Sequence, residues 1–236
     1  MNLKEYLERL SWGELSNVYI GNGGVGSIPL DKIDRVVYFI NEGLKRLYTR
    51  FALKKSCLFL ELNEYRTQYH LSNLHAYEGP NADNEDCELY IRDTPENPYE
   101  NDLIKIMDVY DSMGNHLPLN DHANSKSVFT PQYNILQVPF PDEGLALSIV
   151  YQASHPLLDW NKNPEQEVEL PEVLMGALTA YVAYLHYSNM NTQEAVANAQ
   201  KYLTQYNSIL NEVVETDVVN TSYSQTNVKF NERGFV

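Results

Sequence analysis

The first residues to test for chemistry are the glycines of Gly21-Asn-Gly-Gly-Val-Gly26, which match the spacing of a dinucleotide-binding turn. Such a turn needs a buried strand before it and a helix N-terminus aimed at the pyrophosphate. No strand pattern precedes Gly21, and the next helix opens at Asp31, whose carboxylate opposes a phosphate. The stretch therefore reads as a flexible loop between two helices. Six histidines, His70, His75, His116, His122, His155 and His186, have side chains able to ligate a metal. None forms H-x-x-x-H or H-E-x-x-H on a helix. His70 and His75 are five apart in a strand-like segment, so they are expected on opposite faces. Asp83, Glu85, Asp86 and Glu88 form a carboxylate cluster of the kind that attracts hard cations. The cluster lacks the order and terminal Glu of an EF-hand loop and reads as a solvated acidic loop. No G-x-S-x-G elbow is present, and nothing selects a carboxylate pair for glycoside hydrolysis. Cys57 and Cys87 are too few for a disulfide framework and read as free thiols of a reducing compartment. The expectation is a protein without a catalytic, cofactor or metal site.

The charge points the same way. The chain of 236 residues carries a net −15, unevenly placed. Residues 1–55 hold nine Lys/Arg against six Asp/Glu, residues 56–168 five against nineteen, and residues 169–236 three against seven. So acidic a protein does not grip a phosphate backbone through a broad basic face. It can still surround DNA, because a like-charged wall lets a polyanion slide past. The opening residues Met1 to Leu10 carry Lys4, Glu5, Glu8 and Arg9 and read as neither a signal peptide nor a membrane anchor.

The period of the apolar residues places the elements. Asn2 to Leu10 is a short helix candidate. Ile33, Val37, Ile40, Leu44, Leu47 and Phe51 alternate steps of four and three, which predicts one helix from Asp31 to about Leu53. In the middle the period drops to two. Leu145, Leu147, Ile149 and Tyr151 predict a strand, as do Leu103 to Tyr110 and Tyr133 to Val138. Residues 57–62, 67–74 and 88–91 are weaker strand candidates. Asp111-Ser-Met-Gly-Asn115 is a turn joining two strands. Residues 78–102, rich in Asp, Glu, Asn and Pro, predict a solvated loop projecting from the β domain. Pro171 then opens a helix, and Asn191 with Glu194 reads as the cap of a second one. So short a break makes 171–214 an antiparallel helical hairpin. Tyr181 and Tyr206 are assigned to its core.

The predicted fold class is α+β. A helical bundle, made of the N-terminal long helix and the C-terminal hairpin, brackets an inserted antiparallel β domain. The expected parts are 1–55, helical; 56–168, the β domain with its acidic loop 78–102; 169–215, the helical hairpin; and 216–236, an extended docking tail. That tail is polar, with Val218, Tyr223, Val228, Phe230 and Phe235 spread among Asn, Thr and Ser. It buries too little apolar surface to fold alone and is expected to order on a partner.

This order of parts resembles the head-to-tail connector, or adaptor, proteins of short-tailed bacteriophages, the tail tubular protein A or gatekeeper type. Ser11-Trp-Gly-Glu-Leu-Ser-Asn17 ahead of Ile40-Asn-Glu-Gly-Leu-Lys-Arg-Leu47 is similar to their opening. Val109 to Leu119 resembles their central hairpin. Glu169 to Leu178 with Ala180 to Tyr184 resembles the start of their helical hairpin. The likeness runs over roughly residues 11–215, with the acidic 78–102 segment outside it.

The resemblance implies a structural virion protein, not an enzyme and without cofactors. It implies a homo-oligomeric ring of about twelve copies docked below the portal protein. Such a ring extends or gates the DNA channel and offers an attachment surface to a downstream tail or nozzle protein. DNA passes without sequence-specific binding, and no membrane is involved. Second faces of the helices are expected to pack against neighbouring copies, and the tail to dock through Tyr223, Val228, Phe230, Arg233 and Phe235. The rival expectations are a completion or terminator protein of a long-tailed phage, a glycan-binding or adhesive β domain, and a cellular helical interaction module.

Overall fold

The computed structural model describes residues 1–84, 86–142, 144–216 and 219. The fold is α+β, with helices before and after a set of antiparallel strands. Helix α1, Leu3–Trp12, starts from a capping box: Asn2 accepts from the Glu5 N–H and the Glu5 carboxylate accepts from the Asn2 N–H. Helix α2, Leu30–Arg50, ends where Phe51 turns to an extended conformation, three residues before the expected Leu53. Its apolar stripe is buried as predicted from Ile33 to Leu47, with Phe51 half-buried. Val36, Phe39 and Tyr48 widen the buried face beyond one stripe.

Among the described residues eight strands follow: β1, Lys55–Glu61; β2, Gln68–His70; β3, Ile91–Arg92; β4, Leu103–Tyr110; β5, His116–Leu117; β6, Phe129–Gln132; β7, Ile135–Gln137; and β8, Ala146–Ala153. A five-stranded sheet runs β3-β1-β8-β4-β5 and a three-stranded one β2-β7-β6. Leu58 pairs with Ile149 and Leu60 with Leu147. These residues share one buried cluster with Tyr69, Leu71 and Leu136 of the smaller sheet's side. The two sheets therefore close on a common core, as antiparallel layers with alternating patterns do. The Asp111 turn forms as expected. Its carboxylate accepts from the Met113 and Asn115 N–H groups, and Gly114 takes φ +82°.

Helix α3, Glu172–Ser188, and helix α4, Gln193–Glu215, form the antiparallel hairpin. The Tyr181 ring packs tilted against Tyr206 at 5.0 Å and Tyr187 stacks on Tyr202 at 5.6 Å, which fixes the direction. Tyr181 and Tyr206 are both buried, as assigned. The cap of α4 is Thr192 rather than Asn191; its hydroxyl accepts from the Ala195 N–H.

Other expectations are corrected. Helix α3 does not offer a second face to a neighbouring copy. It is buried on nearly every side, from Leu174 through Ala183 to Tyr187, because α1, α2 and α4 all pack on it. The Tyr6 hydroxyl of α1 meets the Thr179 hydroxyl of α3 at 3.2 Å. Residues 78–102 do not simply project. Tyr90, Ile91 and Tyr99 are buried in the β core, and β3 pairs with β1, so an acidic exterior is hung on three apolar anchors. Residues 157–168 lie in sequence with the strands but pack with the helices, through Leu158 and Val168. Strand β6 appears where no strand was expected, and the Tyr133–Val138 strand shrinks to β7 behind a turn.

Two links bind the halves. Buried Gln152 of β8 donates from its amide to the carbonyls of Tyr48 and Phe51, at the end of α2. Asn41 of α2 exchanges two hydrogen bonds with the Leu158 backbone, at 2.9 and 3.0 Å.

Candidate functional site

The glycine motif is not a phosphate cradle. Helix α1 precedes it, and Tyr19–Gly24 forms a short 3-10 turn. The Ser11 hydroxyl donates to the Gly21 carbonyl at 2.8 Å, Gly21 abuts the Leu15 carbonyl, and Trp12 covers Gly26. Ile20 and Ile28 are buried, so the segment is packed into the helical core and is not the free loop expected.

The histidines are scattered. His70 is exposed on β2, while His75 sits in a separate 3-10 turn, Asn73–His75, stacked on Tyr90 at 4.6 Å. The two do not share a strand, so the opposite-face expectation does not apply. His116 meets Asp108 at 3.3 Å, and His122 packs on Phe129. His155 accepts from the Glu169 N–H at its Nε2, which fixes it as neutral, and burial lowers its pKa. His186 is 3 % exposed with both ring nitrogens unpartnered among the described residues, and burial pushes its pKa down to about 4, helped by the Arg35 charge.

The Glu88 carboxylate is taken up by Arg66 and Asn63. Asp83 and Asp86 are exposed, and Glu85 lies outside the described residues. Among the described residues no group of three His, Cys, Asp or Glu is placed to hold a metal ion. Cys57 and Cys87 are both free. Cys57 sits on β1 with its sulfur 3.0 Å from the Ser148 hydroxyl, and Cys87 faces the Leu74 carbonyl at 3.3 Å. The proposed docking residues Tyr223, Val228, Phe230, Arg233 and Phe235 all lie outside the described residues. Val219 is described, and it rests against the helical core.

Three surface features stand out instead. The first is the outward face of α4. Val196 is 63 % and Val214 55 % exposed, and between them lie Gln200, Thr204, Asn207 and Asn211, exposed and uncharged. From Ala195 to Asn211 the helix has one charged residue, Lys201. The second is a hollow of about 480 Å³ where α2, α3 and α4 meet. Arg46 donates to the Tyr181 hydroxyl at 3.3 Å and lies 5.4 Å over its ring, an arrangement that raises the Arg46 pKa. Lys45 and Arg50 flank it, and Glu42 stands at the rim. Tyr206 lines the hollow with a buried hydroxyl that has no hydrogen-bond partner among the described residues. The Arg46 charge acts on that hydroxyl without reaching hydrogen-bond geometry, and burial raises the Tyr206 pKa.

The chain matches no known family model and no curated protein.

The third feature is an aromatic tip at one end of the strands. Backbone hydrogen bonds from Leu62 to Leu145 and from Val138 to Thr67 hold two loops side by side. They carry Tyr65, 89 % exposed, and Phe140, 78 % exposed. Among the described residues no helix is long and apolar enough to cross a membrane.

Sequence reasoning did not find the hollow. Its residues come from three helices, and each is unremarkable in its own segment. The one available signal was Arg46 and Arg50, four apart on the polar side of α2 in a strongly acidic chain.

Proposed function

We propose that this chain is a structural subunit of a bacteriophage head-to-tail connector, a ring-forming adaptor beneath a portal. The supporting observation is the face of α4. Exposed helix surfaces normally mix charges of both signs, whereas the buried centres of protein interfaces are depleted of charge. Between Glu194 and Glu212 this helix turns Val196, amides and hydroxyls outward with Lys201 as the one charge, a surface suited to meet another protein. The resemblance adds to this. Its segments fall on α1 and the turn after it, on α2, on the β4–β5 hairpin and on the start of α3. On this reading the helices form the body that meets neighbouring copies. The aromatic tip with Tyr65 and Phe140 offers contact to the next tail component. Residues 216–236 dock on the portal or a neighbour through Tyr223, Val228, Phe230, Arg233 and Phe235.

The test is to mix the purified chain with the portal protein encoded by the same genome and image the product. A ring of the chain seated on the portal is the expected result. A persistent monomer that never joins the portal defeats the reading. A chain ending at Glu215 is expected to fold and to lose portal binding.

A further inference from the structure

Lys45, Arg46 and Arg50 are exposed and form no ion pair among the described residues, in a chain of net charge −15. Their hollow also holds the Tyr206 hydroxyl, buried beside Arg46 and without a hydrogen-bond partner among the described residues. The Tyr181 ring and hydroxyl hold the Arg46 guanidinium in place, so less freedom is lost when a planar anion arrives.

We propose that this hollow is one half of an interface between copies of the chain, and that it receives carboxylates from the acidic segment of the next copy. The inference rests on the connector reading, which requires copies to stand side by side. The same chain supplies the complement. Asp83, Asp86 and Glu96 are exposed and also form no ion pair among the described residues. Tyr90, Ile91 and Tyr99 anchor that segment to the β core, so its acids are presented on a fixed support. Arginine forks pair with carboxylates in two-point geometry. Two different patches on one chain make a heterologous contact, the kind that closes into a ring. Nucleic acid is the poorer occupant. Three cations on one helix beside Glu42 do not make the broad basic face that a phosphate backbone needs.

The experiment measures self-association of the full chain by sedimentation, alone and with portal, at low and high salt. Three proteins are compared: wild type, the double variant R46E/R50E, and the triple variant D83K/D86K/E96K. Wild type is expected to associate, more weakly at high salt. Each variant alone is expected to associate about 30-fold more weakly or worse, as loss of close charge pairs does. Mixed one to one, the variants should recover association, because the swapped charges meet again. All changed residues are exposed, and matching thermal melts establish that each variant is folded. Association or ring formation on portal that ignores both variants overturns this inference and leaves the connector reading intact. Loss in both variants without recovery in the mixture also overturns it. Wild-type retention of duplex DNA that R46E/R50E abolishes, with association unchanged, assigns the hollow to nucleic acid instead and overturns it. A wild-type chain that associates neither alone nor on portal overturns both readings.

Discussion

His186 offers the sharpest test of how the helical core is built. It lies on α3, buried, with neither ring nitrogen hydrogen-bonded among the described residues. Burial and the Arg35 charge hold its pKa near 4, against an ordinary value of 6.5. The unfolded chain therefore takes up a proton below pH 6.5 that the folded chain refuses until about pH 4. Stability contributed by neutral His186 is complete above the unfolded pKa, falls as pH drops through the window, and levels off near the folded pKa. At pH 5 the full shift corresponds to about 2 kcal/mol relative to pH 7, and solvent screening reduces that to roughly 1 kcal/mol. The perturbation is His186→Leu, which keeps an apolar shape of similar size and removes the titration. Urea unfolding, followed by circular dichroism at pH 7 and pH 5, gives the stability of both proteins. Other groups, His155 among them, titrate in both and cancel in the difference. The variant is expected to be at least as stable as wild type at pH 7, since two unpaired nitrogens leave the core. It is expected to lose about 1 kcal/mol less than wild type on going to pH 5. Parallel losses in the two proteins would refute the account of His186 as a buried neutral group.

Two further substitutions test the joints of the fold. Gly21→Ala puts a methyl group into the Leu15 backbone carbonyl, which cannot swing aside, so thermal unfolding should show a loss of about 2 kcal/mol or more. An unchanged melting curve would mean that the glycine turn is not packed against the Leu15 backbone. Gln152→Leu removes the donor that caps the Tyr48 and Phe51 carbonyls, and chemical unfolding should reveal a cost of about 1–3 kcal/mol. A variant as stable as wild type would show that water serves those carbonyls equally well.

Much of the architecture was legible because burial is periodic. The stripe from Ile33 to Leu47 and the alternation around Ile149 each report one buried face, and both elements formed there. What was hidden has physical causes. Strand β6 contains Pro131 and polar neighbours, so neither propensity nor alternation marked it; its place at the edge of the small sheet is where a proline is tolerated. In 78–102 the acids dominate the composition, yet the position of the segment is set by Tyr90, Ile91 and Tyr99. The glycines at 21–26 matched a ligand motif but serve close packing against Leu15 and Trp12. His186 hides in an otherwise apolar helix, where nothing in sequence separates a partnered histidine from an orphan one. The hollow at Arg46 exists only once three helices are assembled, so no single stretch could announce it.

The joints matter for the proposed assembly as well as for stability. Helix α2 passes into β1 through only Phe51 to Lys54, a link too short to let the strands swing freely. The return from β8 is clamped at once by Gln152 on the end of α2 and, farther on, by Asn41 holding the Leu158 backbone. The Lys54 carbonyl also accepts from the Ala153 N–H at 3.0 Å, so both strands that join the helices are fastened to each other at the junction. A subunit connected in this way transmits position. If the helical bodies meet around a ring, the orientation of each β unit follows from the contact between bodies, and Asp83, Asp86 and Glu96 arrive at a set angle. A looser hinge would let each β unit wander and would leave a carboxylate contact between copies without a fixed address. Gln152→Leu therefore has a second expected effect beyond lowered stability. Under conditions where the variant remains folded, the charge-dependent association through Arg46 and Arg50 should weaken, although neither partner in that contact has been changed.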